Sequence, residues 1–280
     1  MTKPYLNLGC GRRFHSDWEN LDFFAPSAAV RPHDLREGVP FPDETFDVVY
    51  HSHVLEHFSK QTACTFLREC QRVLRRGGTI RVAIPDLEKI AQLYLESLEK
   101  ASLGIAGWKE NYDWVMLEMY DQAVREQPGG ACYEYYRQEI IPNWAFVLQR
   151  TGAEAHAAMK AARAESPSPM NGFQHLRTKL EYVLHNFGPV FRNKLARIFL
   201  SEEDYAALRV GRFRRQGEIH QWMYDTYSLA RLLRECGFCD PQRCAATESR
   251  IPNWAQYCLD SEADGTTYKP DSMYMEAVKP

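Results

Sequence analysis

A doubly wound α/β fold with a large helical insertion after its fifth strand is what this 280-residue sequence predicts, on two observations. Short, near-continuous apolar runs alternate with loop or helical connections, as in a parallel sheet covered on both faces. From Leu87 to about Gly217 the pattern changes to a helical period rich in aromatics, and the α/β pattern then resumes. Residues 1–86 and 217–280 are therefore expected to form one domain, and residues 87–216 a helical cap.

Taken in order, strands are expected at Tyr5–Gly9, Trp18–Phe23, weakly at Val30–Leu35, and at Phe46–His51. A helix is expected over Gln61–Arg76, because Phe66, Leu67, Cys70, Val73 and Leu74 recur at helical spacing and Gly77-Gly78 would stop it. Thr79–Pro85 reads as the fifth strand. Within the insertion, Ala153–Ala164 runs into Ser166-Pro167-Ser168-Pro169, a helix-breaking connection. Thr226–Cys236 reads as a helix ended by Gly237, followed by strands at Arg243–Glu248 and Ser272–Lys279. The pentapeptide Ile-Pro-Asn-Trp-Ala occurs at 141–145 and again at 251–255, with unrelated flanks.

Composition narrows the function classes. Hydrophobic residues at 45% and charged residues at 25% are globular proportions. Lys plus Arg number 34 against 37 acids, a net charge of -3 that gives no reason to expect nucleic acid as a partner. No apolar run approaches the roughly 20 residues of a membrane span, no signal-peptide core precedes the first strand, and a cytoplasmic location is expected. Eight scattered cysteines read as reduced thiols.

The chemistry begins at Leu6-Asn7-Leu8-Gly9-Cys10-Gly11, a strand ending in a Gly-x-Gly turn where backbone can approach a ligand. The third glycine of a dinucleotide fingerprint is missing, because Phe14 stands there, so a pyrophosphate cradle is not supported. Asp22, at the end of the second strand, is placed to accept both hydroxyls of a ribose. Asp34 and Leu35 follow the third, where a carboxylate meets an adenine amino group and an apolar neighbour packs on the ring. An adenosine without a diphosphate is the ligand these residues imply.

At this point the sequence resembles the class I S-adenosylmethionine-dependent methyltransferases, over residues 5–86 and 217–280. The resemblance rests on residues 6–11, Asn20-Leu21-Asp22, residues 40–49, Val54-Leu55-Glu56-His57, residues 72–78 and residues 228–238. It implies a Rossmann-like sheet, S-adenosylmethionine as cofactor, and a cofactor set of Gly9, Cys10, Gly11, Asp22, Asp34, Leu35 and His51. Two departures stand out. Asn7 occupies a position usually acidic in the family, and only ten residues separate Gly11 from Asp22, too few for the usual first helix. Arg12 or Arg13 is a candidate to hold the methionine carboxylate in its place.

Acceptor chemistry needs alignment and a proton acceptor, and His53, Asp86 and His220 are the candidates at the carboxyl ends of strands four and five and ahead of the last helix. His57 reads as a packing histidine. His53-Val54-Leu55-Glu56-His57 also fits an inverted zinc-protease pattern, but that needs a long helix through both histidines, so no metal is expected. Cys236, Cys239 and Cys244 lack a second Cys-x-x-Cys pair and read as structural thiols.

The insertion is expected to form a lid and specificity pocket. From His175 to Gln216 it holds nine Lys plus Arg against four acids, an excess suited to a phosphate-bearing or membrane-surface acceptor, or else a solvated face. The tail Tyr268-Lys269-Pro270-Asp271-Ser272 resembles methyltransferases associated with polysaccharide assembly. The expected activity is methyl transfer to oxygen or nitrogen of a non-nucleic-acid acceptor, first a glycan or sugar hydroxyl. The alternatives are a small-molecule methyltransferase and a catalytically silent binding protein. No transmembrane segment is expected, and the basic excess makes peripheral membrane contact a further expectation.

Overall fold

A computed structural model describes residues 3–164 and 195–280. Its centre is a seven-stranded sheet in the order β3-β2-β1-β4-β5-β7-β6. The strands are β1 (Tyr5–Leu8), β2 (Glu19–Asp22), β3 (Arg31–Pro32), β4 (Phe46–Ser52), β5 (Leu74–Pro85), β6 (Cys239–Cys244) and β7 (Ser272–Val278). The first five run parallel, and β7 lies antiparallel between β5 and β6. Because β1 pairs with β2 on one side and β4 on the other, the strand order reverses there, and a crevice opens at the strands' carboxyl ends.

One face of the sheet is covered by α1 (Lys60–Val73) and the helix Thr226–Glu235. In α1 the buried Ala63, Phe66, Leu67, Cys70 and Val73 form one stripe, and the Ser59 hydroxyl caps its start by accepting from the Thr62 amide. Asp225 and Ser228 form a reciprocal capping box at the start of Thr226–Glu235, whose Leu229 and Leu233 enter the same core.

The other face is covered differently. No helix joins β1 to β2, as the spacing predicts; instead Trp18, Val48, Tyr50, Ile251, Trp254 and Leu259 close over the sheet. Beside them Arg81 is fully buried, 2.7 Å from both Asp260 and Glu276, with Trp254 at 4.4 Å from its guanidinium. Tyr50 donates its hydroxyl to Asp260 at 2.5 Å.

Two boundaries differ from expectation. The helix ends at Val73 rather than Arg76, because the wholly buried Leu74 already pairs with Phe46 of β4, which places Gly77 and Gly78 inside β5. The sixth strand is Cys239–Cys244, earlier than Arg243–Glu248. Its Asp240 and Pro241 fall at a register shift on an edge strand, where a missing amide hydrogen costs least.

Between β5 and Thr226 the described elements are helices: α2 (Leu87–Ser102), α3 (Trp108–Val124), α4 (Gly130–Arg137), α5 (Trp144–Thr151), α6 (Ala153–Ala164) and Glu202–Arg214. They hold a core of their own around Trp114, Tyr136, Ile141, Val147 and Ala155. The Ser166–Pro169 connection, and part of the basic segment counted from His175, lie outside the described residues. The repeated pentapeptide starts a helical turn each time, with Asn143 at φ -106° and Asn253 at φ 58°, so the two copies are not conformational equivalents.

All eight cysteines are free thiols. Among the described residues no helix is long and apolar enough to cross a membrane.

Candidate active site

The crevice at the switch point divides into three cavities. The first, about 300 Å³, is lined by Gly9, Asp22, Asp34, Leu35, His53 and Val54 among others. Gly9 (φ 63°) leaves no space for a side chain, since a Cβ there would stand 2.4 Å from Val54 Cγ2. Gly11 (φ 54°) opens on free space, with nothing within 4 Å of such a Cβ. Asp22 accepts the Gly11 amide at 2.8 Å on Oδ2 and the Phe24 amide at 3.0 Å on Oδ1, so each oxygen keeps a lone pair for a ligand hydroxyl. Asp34 reaches the wall, but its carboxylate caps a short turn through the Arg36 amide and pairs with the Arg36 side chain. That Arg36 contact holds its pKa below the usual carboxylate value.

The second cavity, about 360 Å³, continues from the glycines past Asn7, Cys10, Arg12 and Lys269. Asn7 is buried, donates to the Arg13 carbonyl, and leaves Oδ1 without a partner among the described residues. Burial pushes the Cys10 thiol up to about 12, so it lines the wall as a neutral group. Of the two arginines proposed for a carboxylate, Arg13 is committed elsewhere. It donates to the carbonyls of Leu259 and Ser261, pairs with Glu262 at 3.0 Å, and stacks on Tyr268. Arg12 is exposed beside the cavity and makes no hydrogen bond among the described residues.

The third cavity, about 530 Å³, lies between the ends of β4 and β5 and the helical segment. Trp114, Glu118 and Gln122 of α3 and Tyr133 and Tyr136 of α4 line it, with Lys269 and Asp271 from the segment before β7. The buried Trp114 Nε1 has no partner among the described residues. Glu118 pairs with Arg150 of α5, yet burial outweighs that pairing and raises the Glu118 pKa.

His53 lines all three cavities. It follows β4 directly in a left-handed conformation, φ 54°, which costs energy for a non-glycine residue and turns its ring toward the crevice. Nδ1 lies 3.2 Å from Glu56 Oε1, and Nε2 lies 2.8 Å from Ser272 Oγ. Of the sequence-derived set, Gly9, Cys10, Gly11, Asp22, Asp34, Leu35, His53 and His220 all reach a cavity wall.

Two candidates do not. His51 faces the core: fully buried, packed edge-on against Phe66 at 5.2 Å, with neither ring nitrogen partnered among the described residues. Burial lowers its pKa to about 4. Asp86 caps α2 by accepting the Lys89 amide and pairs with Arg243 at 2.5 Å, so its carboxylate holds structure and is spent before it reaches an acceptor.

Sequence reasoning missed His57 and Glu56. His57 was expected to pack, but it lines both the first and third cavities. Glu56 is fully buried, its Oε1 3.2 Å from His53 Nδ1 and 3.9 Å from His220 Nε2. Its environment works both ways: burial raises its pKa, while His53, His220 and His57 more than offset this and hold it below the usual range. Burial lowers the His220 pKa to about 3, so that ring is neutral at physiological pH. The backbone of 219–222 is pinned on the Glu56 turn: Gln221 and Trp222 amides donate to the Glu56 carbonyl at 2.7 and 3.2 Å. No local signal in the sequence joins His220 to this turn.

A family model described as a methyltransferase domain matches residues 6–82. Over 101 residues the chain is 34% identical to a probable S-adenosylmethionine-dependent methyltransferase of Mycolicibacterium smegmatis, covering 30% of this chain and 38% of that protein. Over 61 residues it is 41% identical to a probable S-adenosylmethionine-dependent methyltransferase of Mycobacterium tuberculosis, covering 22% and 21% respectively. The chain thus spans less than two fifths of the length of these curated relatives. A solved S-adenosylmethionine-dependent methyltransferase from Archaeoglobus fulgidus aligns over 99% of this chain and 86% of its own, at 12% identity and a TM-score of 0.39. The domain match and the sheet order, with its antiparallel β7, define an α/β, Rossmann-like methyltransferase fold.

Proposed function

We propose that the chain transfers a methyl group from S-adenosylmethionine to a hydroxyl of a non-nucleic-acid acceptor, with a sugar hydroxyl as the first class to test. The observation that carries this reading is that three neighbouring cavities share one wall residue, His53. The names of the matched relatives support the cofactor, and the residues fit it. Gly11 opens on free space where a side chain would intrude, Asp22 keeps acceptor lone pairs at the ribose position, and Asn7 Oδ1 is an orphaned acceptor among the described residues where a methionine ammonium would lie.

The cofactor, when bound, supplies a methyl group already activated on a sulfonium. What remains for the protein is orientation and a proton acceptor. Glu56 beside Nδ1 of His53 favours the tautomer with its proton on Nδ1, so Nε2 accepts from the Ser272 hydroxyl at 2.8 Å and takes the acceptor proton when an acceptor hydroxyl displaces that contact. Trp114, Tyr133 and Tyr136 offer flat apolar faces for a ring, and Glu118, Gln122 and Asp271 offer hydroxyl partners, the mixture that suits a sugar. The helical segment supplies most of that wall, which supports its reading as the specificity cap.

The test is transfer of tritiated methyl from S-adenosylmethionine to a panel of oligosaccharides, phenols and amines. The reading expects alkali-stable label in a sugar, lost in Asp22→Ala. Label confined to small phenols or amines would favour the small-molecule alternative. Tight cofactor binding with no transfer to fractionated cell extract would favour the silent binder.

A further inference from the structure

Glu56, His57 and His220 each offer one ligand atom, and these atoms lie within 4.8 Å of one another. Glu56 is wholly buried; its only close polar neighbours among the described residues are imidazoles, His53 Nδ1 at 3.2 Å and His220 Nε2 at 3.9 Å from Oε1, and no described Lys or Arg pairs with it. His57 Nδ1 lies 3.1 Å from the Ile219 carbonyl. A carbonyl only accepts, so Nδ1 carries the proton, and Nε2 keeps its lone pair. Metal-binding histidines are commonly fixed by such a backbone carbonyl on the far nitrogen. His220, 7% exposed, stacks edge-on against His57 at 4.9 Å and is held to the cap by its amide, which donates to the Gln122 carbonyl of α3.

We propose that Glu56, His57 and His220 bind one divalent first-row transition-metal ion, with an open coordination position facing the acceptor cavity. Two imidazoles and one carboxylate suit zinc, manganese or iron better than magnesium, which prefers oxygen donors. Donors about 2.1 Å from an ion lie roughly 3 to 3.5 Å apart, so the three side chains draw in by about 1 Å on loading. The expectation of no metal rested on the short helix at His57. The structure supplies the third donor from His220, which no local spacing reveals. Where the proposed hydroxyl acceptor is correct, an ion here lowers the pKa of the bound oxygen beside His53. Metal binding itself does not depend on that reading.

The experiment uses the chelator-treated 280-residue chain titrated with cobalt(II), followed by visible absorption, then by zinc or manganese displacement. One ion per chain with cobalt d–d bands is expected, and the bands are lost in both His220→Ala and His57→Gln but kept in His15→Ala. Absence of bands in the unsubstituted protein overturns the proposal, as does equal binding by the His220→Ala variant. Should the substitutions disturb folding, the unsubstituted protein still decides. S-adenosylmethionine titrated into the same samples separates the two readings. Cofactor binding without cobalt bands removes only the metal, whereas cobalt bands without cofactor binding remove only the methyl donor.

Discussion

Asp22 Oδ2 accepts the Gly11 amide at 2.8 Å, which ties the end of β2 to the turn after β1 and aims the rest of the carboxylate into the crevice. Replacing Asp22 by Ala removes both this tie and the ribose acceptor. Hydrogen bonds to a charged group contribute about 1.5–3 kcal/mol, so cofactor affinity is expected to fall roughly 10- to 100-fold. Calorimetry on the folded variant measures it, and unchanged affinity would remove Asp22 from the site.

Gly9→Ala places a methyl 2.4 Å from Val54 Cγ2 on a backbone of positive φ. Overpacking and strain together are expected to cost about 1–3 kcal/mol, with weaker cofactor binding. In a Val54→Ala background the clash is relieved while the φ penalty persists, so thermal denaturation of the single and double variants should show partial recovery. Full recovery would mean that φ is irrelevant there; none would mean that Val54 is not the obstacle.

Arg81 neutralises two buried carboxylates, Asp260 and Glu276, and Arg81→Met leaves both without it. Breaking a buried pair from one side costs about 3–5 kcal/mol, and denaturant unfolding should report a loss of that order. A loss below about 1 kcal/mol would show that the carboxylates protonate or rearrange freely.

His51 gives a pH signature. Its folded pKa of about 4 lies below the ordinary value near 6.5. Between these values the unfolded chain binds a proton that the folded chain does not, so stability falls as pH drops through that window. At about 1.4 kcal/mol per unit the full effect is roughly 3 kcal/mol. His51→Leu should flatten the unfolding free energy between pH 6.5 and 4; an unchanged slope would mean His51 protonates freely in the folded protein.

His53→Gln is expected to lower the rate of transfer by about 10²-fold or more while leaving the three-cavity architecture in place, since a positioned base contributes at that scale. The comparison is turnover against cofactor affinity. Affinity lost in parallel with rate would make His53 a binding residue alone.

Much of this was readable in the chain. Gly9, Gly11 and Asp22 were legible as residues of a crevice at the strands' carboxyl ends, and all three line cavities there; that they hold the cofactor is the proposal. The missing first helix followed from counting residues between Gly11 and Asp22. Asp86 was misread, although its position ahead of Leu87 and three residues before Lys89 is that of a helix cap. His51 and His53 were offered together because strand alternation would put residues two apart on one face, yet β4 ends at Ser52 and the left-handed conformation of His53 sends its ring elsewhere. The Glu56, His57 and His220 cluster was out of reach, because its members meet only through the tertiary path of residues 219–222.

The measurement closest to the central claim is calorimetric titration with S-adenosylmethionine and S-adenosylhomocysteine, with NAD as control. Saturable one-to-one binding of the first two, in the micromolar range of about -8 kcal/mol, is expected, with no heat from NAD and weakened binding in Asp22→Ala. No binding of either sulfur compound, or equal binding of NAD, would contradict the account.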